Sequence, residues 1–138
     1  MPAYLTRTVG FQATHRYYKP AWTAEENRAR FGWTSEAPGH PHDYTCAVTV
    51  TGPPDPNTGM IVDLSVLDRL LAELVVAPLA GKHINLDLPE FAYGRLLPTC
   101  EALAQYLFAR IAPRLPEGVE LVRVRVAEDA TLHADCER

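Results

Sequence analysis

Residues 39–51 read Gly39-His40-Pro41-His42-Asp43-Tyr44-Thr45-Cys46-Ala47-Val48-Thr49-Val50-Thr51. Apolar and polar residues alternate along this stretch, and the period of two predicts a β-strand over residues 42–52. Side chains two residues apart point to the same face of a strand, so His40 and His42 can direct both imidazoles at one point. A His-x-His pair alone is more often a surface or hydrogen-bonded pair than a metal site, so its surroundings must decide.

A third histidine, His15, ends another strand-like run over residues 4–17. Arg7 interrupts the apolar face of this run, which otherwise carries Leu5, Val9, Phe11, Ala13 and His15. His42 likewise shares its face with Tyr44, Cys46, Val48 and Val50. If the two strands pair, all three imidazoles converge, and three histidines that leave one position open are the ligand set of a catalytic zinc ion. Taken alone, a histidine in the position of His15 is more often a core residue bonded to a neighbour than a metal ligand.

Length and composition indicate one globular domain over residues 1–138, because 47% of the residues are hydrophobic and 22% are charged. The net charge is −4 and the basic residues are scattered, so we expect no nucleic-acid surface. We also expect no membrane span and no signal peptide, and therefore a cytoplasmic protein. Three cysteines without metal-type spacing suggest reduced thiols rather than disulfides.

The remaining pattern predicts helices and two further strands. A short helix should begin after Thr23 and stop at Gly32, and a second should begin after Asp63 or Ser65 and end near Pro78. A loop then leads to a helix that opens at 98–101. Strands follow at 119–127, with Val122, Val124 and Val126 on one face, and at about 131–136.

This order predicts an α+β fold in which two main helices pack on one face of an antiparallel four-stranded sheet. The second face is either solvated or covered when subunits join their sheets edge to edge into a barrel, and we favour assembly.

Two carboxylates have informative positions. Glu128 shares the parity of Val124 and Val126, so it lies on the apolar face, unless the chain has already turned into solvent. A buried carboxylate needs a partner, and its two oxygens suit the guanidine-like edge of a pterin or guanine. Glu101 falls in the first turn of a helix, where the helix dipole stabilises a carboxylate whatever its function.

Several motifs occur together in one order along the chain. They are Phe11-Gln12-Ala13-Thr14-His15-Arg16, Gly39-His40-Pro41-His42-Asp43-Tyr44, Asp55-Pro56-Asn57-Thr58-Gly59-Met60-Ile61-Val62-Asp63-Leu64, Pro98-Thr99-Cys100-Glu101 and Val126-Ala127-Glu128. In this order they resemble the 6-pyruvoyl-tetrahydropterin synthase family, which includes the 6-carboxytetrahydropterin synthases of queuosine biosynthesis. The resemblance covers nearly the full length.

The resemblance implies the tunnelling fold, with subunits joined into barrels and two trimers stacked as a hexamer. It implies that His15, His40 and His42 bind Zn²⁺, that Glu128 anchors the pterin ring, and that Thr99 and Glu101 line the pterin pocket. The implied substrate is 7,8-dihydroneopterin triphosphate, and a general base must take protons from its side chain.

The sequence departs from the family at that base. The family has a catalytic cysteine six residues before the first histidine of the His-x-His pair, and Thr34 stands there. The Asp-His pair that activates the cysteine is replaced by Ala80 and Gly81. A threonine hydroxyl without a neighbouring base is a poor proton acceptor at neutral pH.

Three residues are candidate substitutes for the relay: Glu36, His83 and Cys100. Each also has an ordinary alternative, respectively a solvated carboxylate, a surface histidine and a small buried side chain. Two functions follow. The chain is a zinc-dependent pterin lyase with a rearranged base, or it is a zinc- and pterin-binding homologue without the parent activity.

Overall fold

Four antiparallel strands form one sheet in the order β1-β2-β3-β4 in the computed structural model, which describes residues 1–138. The strands are β1 Tyr4–His15, β2 His40–Thr51, β3 Glu120–Asp129 and β4 Leu132–Glu137. The register of β1 and β2 places His15 opposite His40 and Ala13 opposite His42. The two apolar faces are therefore one face, as the alternation predicted.

Hydrogen bonding explains why β1 stops at His15 and not at Tyr17. The Arg16 backbone N–H donates to the side-chain oxygen of Asn85 (2.8 Å), and the Tyr17 N–H donates to the Thr34 carbonyl (3.1 Å). Both donors thus leave the β1–β2 ladder, and the chain turns toward the loop that contains Thr34.

The predicted face of Val122 is wrong, because β3 has an irregularity there. Thr49 pairs with Arg123, but the next residue, Val50, pairs with Leu121. The extra residue reverses the alternation, so Leu121 is buried and Val122 is only partly buried. After this irregularity the alternation is as predicted, because Val124, Val126 and Glu128 are all buried.

The first helices begin and end near the predicted residues. Helix α1 spans Ala24–Phe31; the Thr23 hydroxyl accepts from Glu26 N, and Gly32 adopts a φ of 63° at its end. Helix α2 spans Leu64–Leu71 and is capped by Asp63. It continues through a π-helical turn, Ala72–Val76, into α3, Ala77–Leu79.

The segment before the last helix was predicted as a loop but contains two helical turns, α4 Ile84–Asp87 and a 3₁₀ turn Pro89–Phe91. These two turns bury Ile84 and Phe91 in the core. The sequence did not predict their burial, because isolated apolar residues in a loop-like segment show no helical period. Helix α5 spans Cys100–Ile111 and is capped by the Thr99 hydroxyl. No helix is long and apolar enough to cross a membrane.

One hydrophobic core of 24 residues lies between the helices and the sheet. The opposite sheet face is polar: it exposes Gln12 and Thr45 and carries the ion pairs Arg123–Glu137 and Arg125–Asp135. Strands β1 and β4 are the two edges of the sheet. Subunits could therefore assemble by pairing these two edge strands. The helix-free face is polar, so it does not need to be covered by another subunit.

Gly39 holds the chain against the end of β1. Its φ is 120°, and a Cβ at this position would lie 2.6 Å from the His15 carbonyl oxygen. We expect Gly39→Ala to lower the free energy of unfolding by about 3 kcal/mol, because a strained φ and a backbone clash act together. Urea unfolding measures this.

Gly59→Ala is the matched control for that prediction. Gly59 has a φ of 73°, but a Cβ there would meet nothing within 4 Å. Strain alone should cost about 1 kcal/mol. Equal losses for the two variants would contradict a close approach at Gly39.

Candidate metal centre and ligand pocket

The three predicted histidines meet on the helix-covered face, where β1 ends and β2 begins. Each of the histidines has one ring nitrogen in the cluster, and these three nitrogens, from His15, His40 and His42, lie within 4.8 Å of one another. Nε2 of His15 is 3.0 Å from Nε2 of His40, and the rings of His15 and His42 are 4.9 Å apart. The strand register alone produces this arrangement.

Two neighbours fix the tautomer of His15. Its Nδ1 lies 3.0 Å from the Pro98 carbonyl oxygen and 2.8 Å from the Tyr44 hydroxyl oxygen. A carbonyl can only accept, so Nδ1 carries the proton, and Nε2 keeps its lone pair. Metal-binding histidines are commonly oriented in this way by a bond from the second ring nitrogen.

Burial favours the neutral form of two of the imidazoles, His15 and His40. Burial, and then the neighbouring charge of His40, lower the pKa of His15 to about 3. Burial, and then His42, also lower the pKa of His40. Neutral imidazoles are the form that binds metals.

Unpaired nitrogen atoms complete the test of fit for a metal. Nε2 of His42 is buried and makes no hydrogen bond, and Nε2 of His40 faces Nε2 of His15. Three imidazoles whose nitrogen atoms lie this close together suit Zn²⁺. The residues at this site therefore fit the ion that the resemblance implied.

Glu128 lies within β3 and reaches the same cluster. It is 9% exposed, so the alternative of a carboxylate in solvent does not hold. Its Oε2 is 2.9 Å from His42 Nε2 and 3.7 Å from His15 Nε2. The contact with His42 is close but lacks hydrogen-bond geometry, because His42 Nε2 remains without a hydrogen-bond partner.

The three positions that depart from the family offer no base. The Thr34 hydroxyl donates to the Phe31 carbonyl. Ala80 and Gly81 are exposed, and the Gly81 N–H donates to the Gln12 carbonyl (2.7 Å). Gly81 has a φ of 73°, so a histidine there would be strained in the present backbone.

The three candidate substitutes differ in their surroundings. Glu36 is exposed, while Cys100 is buried, and burial followed by the charge of Glu128 raises the pKa of its thiol to about 11. Nε2 of His83 is 2.6 Å from the Pro38 carbonyl oxygen, so Nε2 carries the proton and Nδ1 keeps its lone pair. That Nδ1 is buried and makes no hydrogen bond.

The start of α5 borders the cluster. Thr99 caps the helix, so its hydroxyl accepts from Ala102 N (3.1 Å), and Glu101 in the first turn is exposed. Pro98, just before this cap, supplies the carbonyl bonded to His15. The Pro98 carbonyl thus connects the start of α5 with the histidine cluster.

Sequence reasoning missed two aromatic residues. The Tyr17 ring lies 4.7 Å from the His15 ring, and Trp33, 63% exposed, has its ring 4.6 Å from that of His40. Burial and then the charge of Glu128 raise the pKa of Tyr17. The alternation from His15 could have indicated Tyr17, but no pattern indicated Trp33, which lies in a 3₁₀ turn.

The histidine cluster should make the metal-free protein sensitive to acid. Between pH 6.5 and about 3 the unfolded chain binds a proton at His15 that the folded chain does not, so stability falls as the pH falls through this window. We expect a loss of about 2 kcal/mol between pH 6.5 and pH 5 from this residue. Urea unfolding of chelator-treated protein measures it.

The control for this prediction is His15→Ala, whose stability should depend less steeply on pH over the same window. Equal pH dependence of the variant and the parent protein would show that His15 is not responsible.

Fold and site together define a class: an α+β protein whose antiparallel sheet presents a three-histidine centre that fits a metal. The family model described as 6-pyruvoyl tetrahydropterin synthase matches residues 4–138. The chain therefore belongs to the 6-pyruvoyl tetrahydropterin synthase family, which confirms the family inferred from the motifs.

Individual relatives agree with this assignment. The chain is 37% identical over 126 residues to the human 6-pyruvoyl tetrahydrobiopterin synthase, and the aligned region covers 91% of this chain and 85% of the human protein. It is 33% identical to the Drosophila melanogaster protein of the same name, with 91% and 74% covered. The structure of the Caenorhabditis elegans 6-pyruvoyl tetrahydropterin synthase superposes with a TM-score of 0.90 at 23% identity. The superposition covers 100% of this chain and 96% of the C. elegans chain, which confirms the fold.

Proposed function

We propose that this protein is a zinc-dependent pterin lyase that acts on 7,8-dihydroneopterin triphosphate or a related pterin. Its product would enter tetrahydropterin or queuosine-precursor biosynthesis. The observation that carries the proposal is the convergence of three histidines beside a buried carboxylate, within a chain that belongs to this synthase family.

His15, His40 and His42 would hold the zinc ion. When bound, zinc polarises side-chain oxygens of the substrate and makes adjacent protons easier to remove. Pro98 and Tyr44 keep the His15 ring in the orientation that directs Nε2 at the site. This support fixes the ligand before substrate binds, so little reorganisation is needed.

Glu128 would orient the pterin. A pterin presents one ring N–H and one exocyclic NH₂ on the same edge, and the two oxygens of a carboxylate match that pair. Because Glu128 is on a strand and largely buried, its contact with the ring would be made in a water-poor setting. Thr99 and Glu101 at the start of α5 would line the pocket.

His83 Nδ1 is our choice for the proton acceptor. Among the three substitutes, Cys100 keeps its proton at neutral pH because of its raised pKa, and Glu36 points into solvent. His83 is bridged to Thr14, which precedes His15, and bonds the carbonyl of Pro38, close to His40. An imidazole nitrogen without a hydrogen-bond partner can accept a proton.

The proposal includes a cytoplasmic homo-oligomer, a dimer of trimers. Open edges at β1 and β4 support assembly. A surface cavity of about 410 Å³ between Asp55 and Val119 lies at the opposite end of the sheet and includes none of the candidate residues. In this assembly, a neighbouring subunit would enclose the ligand at the histidine cluster.

The test is turnover of a defined substrate. Zinc-loaded protein is incubated with 7,8-dihydroneopterin triphosphate, and release of triphosphate or acetaldehyde is followed, with chelator-treated protein as the control. We expect release only from the zinc-loaded sample. No release from a sample that still binds pterin would reject the lyase.

A second candidate function is a zinc- and pterin-binding homologue without lyase activity. Thr34, Ala80 and Gly81 favour it, since none supplies a base and the Gly81 backbone suits glycine. Both candidates keep the histidines and Glu128. They differ only in proton transfer, so the same experiment separates them.

A further inference from the structure

We infer that Trp33 determines which pterin the site selects, because its indole forms a wall beside His40 that packs against a hydroxylated carbon chain attached to the pterin ring. The inference rests on the proposed function, since it names what distinguishes one pterin from another at that same site. It predicts that a pterin with such a chain binds more tightly than a pterin without one.

Trp33 exposes a large apolar ring at the edge of the histidine cluster. The residue is 63% exposed, and its ring centre lies 4.6 Å from that of His40. The other tryptophan of the chain is placed differently, because the Trp22 ring stacks on Phe31 at 5.7 Å and has the Arg30 guanidinium 5.5 Å from its centre. The exposed face of Trp33 is therefore the one that has room for a ligand.

The backbone that carries this indole is fixed. Trp33 lies in the 3₁₀ turn Gly32–Ser35, and the turn is bonded to the chain that leaves β1. The Tyr17 N–H donates to the Thr34 carbonyl (3.1 Å), and Arg16 Nε donates to the carbonyl of the last residue of the turn (2.7 Å). An aromatic wall on a fixed backbone is preorganised, so little conformational entropy is lost when a ligand packs against it.

The position of the wall indicates which part of the ligand it meets. Glu128 contacts the cluster at His42 and His15, with Oε2 2.9 Å and 3.7 Å from their Nε2 atoms. Trp33 contacts the cluster at His40. A pterin ring held by the Glu128 carboxylate would thus lie on the side of His15 and His42. Its side chain, extended past the three histidines, would reach the indole.

The chemistry of an indole suits a hydroxylated carbon chain. The hydroxyl oxygens draw electron density from the C–H groups of the chain, and the face of an indole is electron-rich, so the two attract. The same face repels an anion, so phosphate groups would lie beyond the ring and the contact would fall on the carbon atoms. The indole would also keep water away from the carbons that lose protons.

Binding of two inert ligands tests this role without turnover. Neopterin carries a trihydroxypropyl chain, whereas pterin has no side chain, and calorimetry measures the affinity of zinc-loaded protein for each. We expect Trp33→Ala to bind neopterin about 10-fold more weakly and to bind pterin within about twofold of the parent protein. Trp33→Phe keeps an aromatic face and should lose less than about threefold for neopterin.

Trp22→Phe is the matched control, because it changes the other tryptophan of the chain, which contacts Phe31 instead of a histidine. Its affinities for neopterin and pterin should equal those of the parent protein. Circular dichroism and zinc content show that each variant is folded and metal-loaded, and sedimentation velocity gives its oligomeric state.

The outcomes separate this inference from the proposed function. Equal changes in the affinities for neopterin and pterin in Trp33→Ala, or no change in either, would overturn the role of Trp33 alone. An altered oligomeric state with unchanged selectivity would also overturn it and would assign the indole to a contact between subunits. No binding of either ligand by the parent protein would overturn both the inference and the proposed function.

Discussion

Replacing His15 with alanine should remove stoichiometric zinc from the protein. His15 is 1% exposed, its Nε2 faces His40 and Glu128, and its ring is held by Pro98 and Tyr44. No neighbouring side chain can take its place, since the position lies at the end of β1 in a packed core. We expect less than about one tenth of an equivalent of zinc, measured by elemental analysis after dialysis, against about one equivalent in the parent protein.

His133→Ala is the control, because His133 is exposed on β4 and should leave the zinc content unchanged. The cavity left by His15→Ala also costs stability, so both variants are compared at a temperature where circular dichroism shows them folded. Unchanged zinc in folded His15→Ala protein would refute the proposed ligand set.

The second large effect concerns the base. We expect His83→Gln to lower kcat by about 100-fold or more, since general-base catalysis contributes about 10²–10⁴-fold. Glutamine can still donate to the Pro38 carbonyl, but it has no nitrogen that accepts a proton. Zinc content and KM should change little, because His83 is not among the clustered ligands. Steady-state kinetics with 7,8-dihydroneopterin triphosphate measure both constants.

Two comparisons distinguish a base from a structural residue. His83→Gln should lower kcat while KM and zinc content stay near the parent values, whereas His133→Gln should leave all three unchanged. Added imidazole should partly restore turnover in a His83→Ala variant. A kcat within threefold of the parent value in His83→Gln would assign the proton transfer to another group.

The histidine cluster was predictable because it depends on the simplest rule of a strand. Alternation put His15 and His42 on apolar faces, and antiparallel pairing then had only one way to join those faces. Glu128 followed from the same rule on β3. The family was recognisable because the histidine motifs and the Glu128 motif retain their order even though Thr34, Ala80 and Gly81 differ.

Other features could not be predicted, for identifiable reasons. The irregularity that turns Val122 outward depends on pairing with Thr49 and Val50, which lie more than 70 residues away along the chain. The contact of Glu128 with His42 depends on side-chain directions, which periodicity does not give. The aromatic ring of Trp33 reaches His40 only because a 3₁₀ turn follows α1.

The distribution of the site residues over the chain has a consequence for how the protein matures. His15, His40 and His42 lie on neighbouring strands, but Pro98 and Glu128 follow much later in the chain. The contacts that hold His15 and bury the cluster therefore form only when almost the whole polypeptide has been synthesised. An ion bound by the three histidines would accordingly stabilise the finished fold more than the nascent chain.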